Sequence, residues 1–162
     1  MTPSPGGVTL RPATADDEGY VDSLVLADAQ VELAALPDPP RSHLARVQVA
    51  ARRGGYAQAW PNAVDHLVVL DDVPVGRLLL HRTGTAVHVV DIRLESARRR
   101  NGVGTAALNE VCSHASAARL PVTLSVRAGT PTESWYRRLG FVEVGHRDPE
   151  SADIDLVRPA DE

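Results

Sequence analysis

Hydrophobic and polar positions change their period along this chain, and the changes predict its elements. Val8 to Pro12 reads as a short strand. Thr14 then serves as an N-cap, with Asp16, Asp17 and Glu18 where the helix dipole favours carboxylates, predicting a helix from about Ala15 to Ala35. Pro37-Asp38-Pro39-Pro40 stops it. Leu44, Val47 and Ala51 recur at helical spacing, so a second helix is expected over Ser42 to Arg53, closed by Gly54-Gly55. Tyr56 to Asn62 carries no clear pattern.

From Asp65 the pattern becomes strand-like. His66 to Leu70, the turn Asp71-Asp72-Val73-Pro74 and Val75 to His81 read as a hairpin, and Thr83-Gly84 leads into a third strand, Thr85 to Leu94. Ala107, Leu108, Val111, Cys112 and Ala115 mark one face of a helix ending near Arg119. Val122 to Arg127 alternates as a strand, a helical turn covers about Thr132 to Leu139, and Phe141 to His146 and Ile154 to Arg158 are the last two strands. A single domain over residues 8–158 follows, between a flexible tail at 1–7 and a polar tail at 159–162.

Composition narrows the partners. A net charge of −4 over 162 residues offers no electrostatic reason for nucleic acid or an anionic membrane as partner. All 17 basic residues are arginine. Cys112 stands alone, which precludes an internal disulfide and suits a reducing cytoplasm. No stretch approaches the roughly 20 apolar residues of a membrane span, and the first residues lack a signal-peptide pattern. His43, His66, His81, His114 and His146 show no metal-ligand spacing, so no metal site is expected.

The most informative run is Arg98-Arg99-Arg100-Asn101-Gly102-Val103-Gly104-Thr105, between the strand ending at Leu94 and the helix starting near Ala106. Glycines let backbone approach an anion closely, and a turn that opens a helix aims several free N–H groups at one point. The run looks like a diphosphate-binding turn. Gly102-Val103-Gly104-Thr105-Ala106-Ala107 also fits the dinucleotide fingerprint, but Glu95 to Arg100 separates strand from glycines and no acid closes the next strand. A P-loop needs Gly-Lys-(Ser/Thr), which is missing.

Together with Trp135-Tyr136-Arg137-Arg138-Leu139-Gly140-Phe141 downstream, this run resembles the Gcn5-related N-acetyltransferase (GNAT) superfamily. Arg99, Gly102 and Gly104 meet its (Gln/Arg)-x-x-Gly-x-(Gly/Ala) turn, and Tyr136, Leu139, Gly140 and Phe141 meet its Tyr-x-x-Leu-Gly-Phe motif. The resemblance implies an α/β (α+β) fold: a mixed, mostly antiparallel twisted sheet of about six to seven strands flanked by about four helices. It also implies acetyl-CoA as donor and an amine acceptor, either a small molecule or a protein amine, with a homodimer possible. A protein that kept the fold and binds acyl-CoA without catalysis is the alternative.

The resemblance assigns roles to residues. Backbone groups of Arg100, Asn101, Gly102, Val103, Gly104 and Thr105 would bind the diphosphate, with Arg98 to Arg100 reaching phosphates or remaining a solvated charge run. Ile92 and Leu94 would pair with the pantetheine amides, and the Leu94 N–H would stabilise the oxyanion of the tetrahedral intermediate. An alkyl amine is only about 0.1% neutral at pH 7, so a base is needed. His88 and Asp91 are the candidates. His88 could equally be an edge histidine and Asp91 an ion-pair partner of Arg93 or another arginine; alternation places the two on opposite faces of their strand. Tyr136 would return a proton to the departing thiolate, or else merely pack. Many relatives carry an asparagine where this chain has Gly129, leaving Thr130 or Thr132 as substitutes at that edge. Acceptor recognition falls in residues 28–62, where Asp28, Glu32, Asp38, Tyr56 and Trp60 could meet a cationic amine or be ordinary surface groups.

Overall fold

In the computed structural model, which describes residues 7–162, chain order is β1 (Val8–Pro12), a 3₁₀ turn (Ala15–Asp17), α1 (Glu18–Glu32), α2 (Pro40–Ala59), β2 (Val64–Leu70), β3 (Val73–Arg82), β4 (Val87–Leu94), a second 3₁₀ turn (Ser96–Arg98), α3 (Val103–Ala117), β5 (Val122–Arg127), α4 (Pro131–Arg138), β6 (Val142–Gly145) and β7 (Asp153–Arg158). The tail expected at 1–7 lies outside the described residues except for Gly7. All seven strands share one sheet in the order β1-β2-β3-β4-β5-β7-β6. Only β4 and β5 run parallel. This is the mixed, mostly antiparallel sheet with four α-helices that the family resemblance implies.

One sheet face holds the main core. Val68, Leu78, Val87 and Val89 pack there against Val103, Ala107, Leu108, Val111, Cys112 and Ala115 of α3, so Cys112 is a buried core residue. Burial pushes its thiol up, away from the nucleophilic form. On the opposite face, Leu67 and Val69 bury against Val21 of α1. α2 buries only Ala45.

The first two helices differ from expectation at their boundaries, and α3 starts at Val103 rather than near Ala106. The first helix opens as a 3₁₀ turn, where Asp17 accepts the Thr14 N–H at 2.8 Å, and its α-helical part ends at Glu32 rather than Ala35. The second starts at Pro40, whose fixed φ suits a first helical turn, and continues through Gly54-Gly55 to Ala59. Two interior glycines cost about 1 kcal/mol each relative to alanine. Contacts on both sides offset this: Arg53 pairs with Asp22 of α1, Tyr56 lies over the Arg77 guanidinium at 5.7 Å, and Trp60 stacks on His88.

A bulge in β4 overturns the alternation argument. Leu79 faces Asp91 but Leu80 faces Val89, so Val90 is an extra residue without a partner on β3. Arg77, Leu79 and His81 share one face of β3, and their partners Arg93, Asp91 and His88 therefore share that face too. His88 and Asp91 lie on the same side of the sheet, the side of α1 and α2.

Candidate active site

β4 and β5 touch only at Val87, His88 and Val89, opposite Val122, Thr123 and Leu124. Beyond Val89 the two strands part. Glu95 donates its N–H to the Val75 carbonyl at 2.9 Å, toward β3. Strand alternation therefore turns the N–H and C=O groups of Leu94 and Ile92 into the gap, where an extended amide-bearing arm could pair with them.

The gap opens onto the start of α3. Gly102 is the N-cap, with φ of 80°, a left-handed conformation natural to glycine. Ala106 donates back to the Gly102 carbonyl at 3.0 Å, so the N–H groups of Val103, Gly104 and Thr105 precede the first helical bond and have no partner within the helix. Gly104 serves a second purpose. A Cβ there would lie 3.3 Å from the Trp135 ring, so its absence lets α4 close against α3, and the Trp135 indole donates to Thr105 Oγ1 at 3.0 Å.

A cleft of about 820 Å³ joins these features, lined on the turn side by Arg100, Gly102, Gly104, Thr105 and Trp135. It runs along Ile92 and Leu94 of β4. Asp28, Asp91 and Arg93 also line it. The uncharged donors of the turn form an anion cradle, and the carboxylates of Asp28 and Asp91 lie on the same cleft wall.

Charges beside the cleft form a continuous chain. Asp65 accepts from Arg77 Nε at 2.8 Å, and Arg77 Nη1 donates to Asp91 Oδ2 at 3.0 Å. Arg93 Nε donates to the same Asp91 oxygen at 2.9 Å, and its Nη1 reaches Asp28 Oδ2 at 2.8 Å. Asp28 Oδ1 takes Arg99 Nη2 at 2.7 Å, and Arg99 Nε donates to the Leu94 carbonyl at 3.1 Å. Asp91 is therefore an ion-pair partner of Arg93 and also of Arg77. Both bonds fall on Oδ2, leaving Oδ1 outside these pairings. Arg77 and Arg93 escaped the site reading because a lone arginine in a strand carries no signal without its register.

His88 occupies a different environment. Its Nδ1 meets Thr123 Oγ1 at 2.8 Å, and its ring stacks on Trp60 with centroids 4.5 Å apart. Burial, reinforced by the positive charge of Arg147, pushes the imidazole down to about 4. Unfolded, it titrates near 6.5, so between those values the unfolded chain holds more protons and stability falls as pH drops from about 6.5 to 4. His88→Phe, which keeps the stack on Trp60, is expected to flatten thermal stability across that window. Partial exposure limits the effect to about 1 kcal/mol. Melting curves of both proteins at pH 4.5 and 7 check this; an unchanged pH dependence in the variant would place the acid sensitivity elsewhere.

Tyr136 is buried between Trp135 and Phe141, with ring centroids at 4.9 and 5.7 Å. Burial, with the nearby negative charge of Asp91, pushes its phenol up to about 12, so it is protonated at neutral pH. The Asn101 amide turns back to the Ala97 carbonyl, and Val103 is buried in the core. At the edge where Gly129 replaces the usual asparagine, Gly129 donates its N–H to Glu133, and Thr130 caps α4 by accepting the Glu133 N–H at 3.3 Å. Pro131 and Thr132 line the cleft there. Of the acceptor-segment residues, Glu32 pairs with Arg52, and Asp38 holds Arg41 and Ser42 at the start of α2.

The class of protein that this split sheet and glycine turn define is an acyl-CoA acyltransferase fold. Residues 32–141 match the Acetyltransferase (GNAT) family, and the chain belongs to it. Comparison with curated proteins gives no match. Among solved structures it is similar to PaiA N-acetyltransferase from Thermoplasma acidophilum, solved with coenzyme A, at 12% identity over 94% of this chain and 99% of that one, with a TM-score of 0.66. Histone acetyltransferase HPA2 and related acetyltransferase from Corynebacterium glutamicum is similar at 21% identity, 96% and 98% coverage and a TM-score of 0.66. An acetyltransferase from Thermus thermophilus is similar at 18% identity, 96% and 99% coverage and a TM-score of 0.65.

Proposed function

We propose that this chain transfers an acetyl group from acetyl-CoA to a primary amine by direct attack within a ternary complex. The observation that carries this reading is the cleft along Ile92 and Leu94 of β4, with the unpaired helix N–H groups of the glycine turn and Asp91 both on its wall. When bound, acetyl-CoA supplies the acyl group as an activated thioester. Val103, Gly104 and Thr105 bind the diphosphate through their N–H groups, with Gly102 setting the turn and Arg99 and Arg100 adding charge. Ile92 and Leu94 hold the arm, and the Leu94 N–H polarises the thioester carbonyl.

Of the two candidate bases, Asp91 lines the cleft, whereas His88 sits beneath Trp60 and is bonded to Thr123. Asp91 Oδ1 therefore orients the ammonium and receives its proton, directly or through water. Tyr136, held protonated, donates to the leaving sulfur. Thr132 takes over the edge that an asparagine serves in relatives, while Gly129 and Thr130 set the start of α4 beside it.

The test is an amine panel with acetyl-CoA, read by release of the free thiol. Release with at least one amine supports the reading; CoA binding without release from any amine leaves a binding protein instead. With an acceptor in hand, Tyr136→Phe is expected to lower kcat about 100-fold with CoA affinity unchanged. Unaltered kcat would reduce Tyr136 to a packing residue.

A further inference from the structure

Asp28 is read from sequence as a surface acid or an acceptor contact, yet the fold turns it toward the donor. Its two oxygens are both engaged, one by each of two arginines of different character. Oδ2 takes Nη1 of Arg93, whose side chain is only 10% exposed and is itself held by Asp91, so this bond fixes the carboxylate. Oδ1 takes Nη2 of Arg99, whose side chain is 47% exposed and belongs to the glycine turn. Arg99 is then held at two of its three nitrogens, Nε on the Leu94 carbonyl and Nη2 on Asp28, while its side chain lines the cleft. A planar guanidinium fixed at two nitrogens has no remaining freedom of direction for the third.

We propose that Asp28 is a positioning residue for the donor: it clamps Arg99 so that Nη1 faces the anion cradle, and steadies the Leu94 peptide through the same guanidinium. The proposal rests on the acyl-CoA reading of the cleft. A flexible arginine loses rotamer freedom when it binds a phosphate, and holding it in place beforehand removes that cost. The clamp also ties α1 to the turn, so the helix bordering the acceptor side and the turn binding the donor share one carboxylate.

The experiment is calorimetric titration with CoA alone, followed by steady-state kinetics with an acceptor from the panel. Asp28→Asn is expected to raise the Kd for CoA about tenfold and the KM for acetyl-CoA alike, by a larger factor than any change in kcat or in the KM for the amine. Arg99→Gln, at an exposed position that leaves the fold intact, is expected to raise Kd by a similar factor. The double variant should be no weaker than the worse single one, because both remove one device. Asp28→Glu is expected to recover part of the affinity. Unchanged or tighter CoA binding by Asp28→Asn would overturn the proposal, since Asp28 would then be idle or a competitor for Arg99. Multiplying effects in the double variant would overturn it as well. If Asp28→Asn does not fold, Arg99→Gln decides: unaltered CoA affinity there removes the clamp's purpose. Failure of the wild-type chain to bind CoA would instead sink the donor reading itself.

Discussion

Arg77→Met is expected to lower the unfolding free energy by about 4 kcal/mol, seen as a fall in Tm of about 10 °C. Arg77 is 4% exposed and holds Asp65 on one side and Asp91 on the other, under the ring of Tyr56. Methionine fills much of the same volume but strands the Asp65 carboxylate, while Asp91 keeps Arg93 as its remaining cation. Breaking a buried pair from one side is costly because the stranded charge keeps its desolvation penalty. The double variant Arg77→Met with Asp65→Asn relieves that stranded carboxylate and is expected to recover part of the loss. Denaturant unfolding of both checks the sign; a loss below about 1 kcal/mol would mean that water already screens the chain of charges.

The second large effect concerns the donor. Acetyl-CoA is expected to raise the Tm of the wild-type chain, and Gly102→Glu to abolish that shift by weakening binding at least about a thousandfold. Two causes add. A side chain at φ of 80° strains the turn by about 1–2 kcal/mol, and a carboxylate placed beside the free N–H groups repels the diphosphate. Gly102→Ala separates them, carrying the strain without the charge, and is expected to keep a reduced shift. Gly104→Glu is expected to abolish the shift too, although there the new side chain also meets Trp135. An undiminished shift in Gly102→Glu would remove the turn from the donor site.

Much of this site is legible one residue at a time. The turn from Arg98 to Thr105 and the run from Trp135 to Phe141 are local signals, since a glycine cap and a helix start need only neighbouring residues. The two motifs meet in space as their order suggests, with Trp135 bonded to Thr105. Reading failed where partners distant in sequence decide. Gly54-Gly55 looks like a helix stop, and Tyr56 and Trp60 carry the helix past it through contacts with Arg77 and His88. Strict alternation separates His88 from Asp91, and a single unpaired Val90 brings them to one face. Neither outcome leaves a trace in local propensity.

From its residues alone this chain determines a glycine-capped helix start, the strand before it, the buried apolar face of α3 and the closing aromatic motif, because hydrophobic period, φ preference and capping act over a few residues. The tertiary structure decided which charges meet. The sequence spreads Asp65, Arg77, Asp91, Arg93, Asp28 and Arg99 over four elements and a turn, and only the sheet register and the packing of α1 bring them within hydrogen-bond distance. Buried charges must be paired, so the fold that buried Arg77 and Arg93 also brought Asp28 to Arg99 of the glycine turn and left one oxygen of Asp91 outside these pairings.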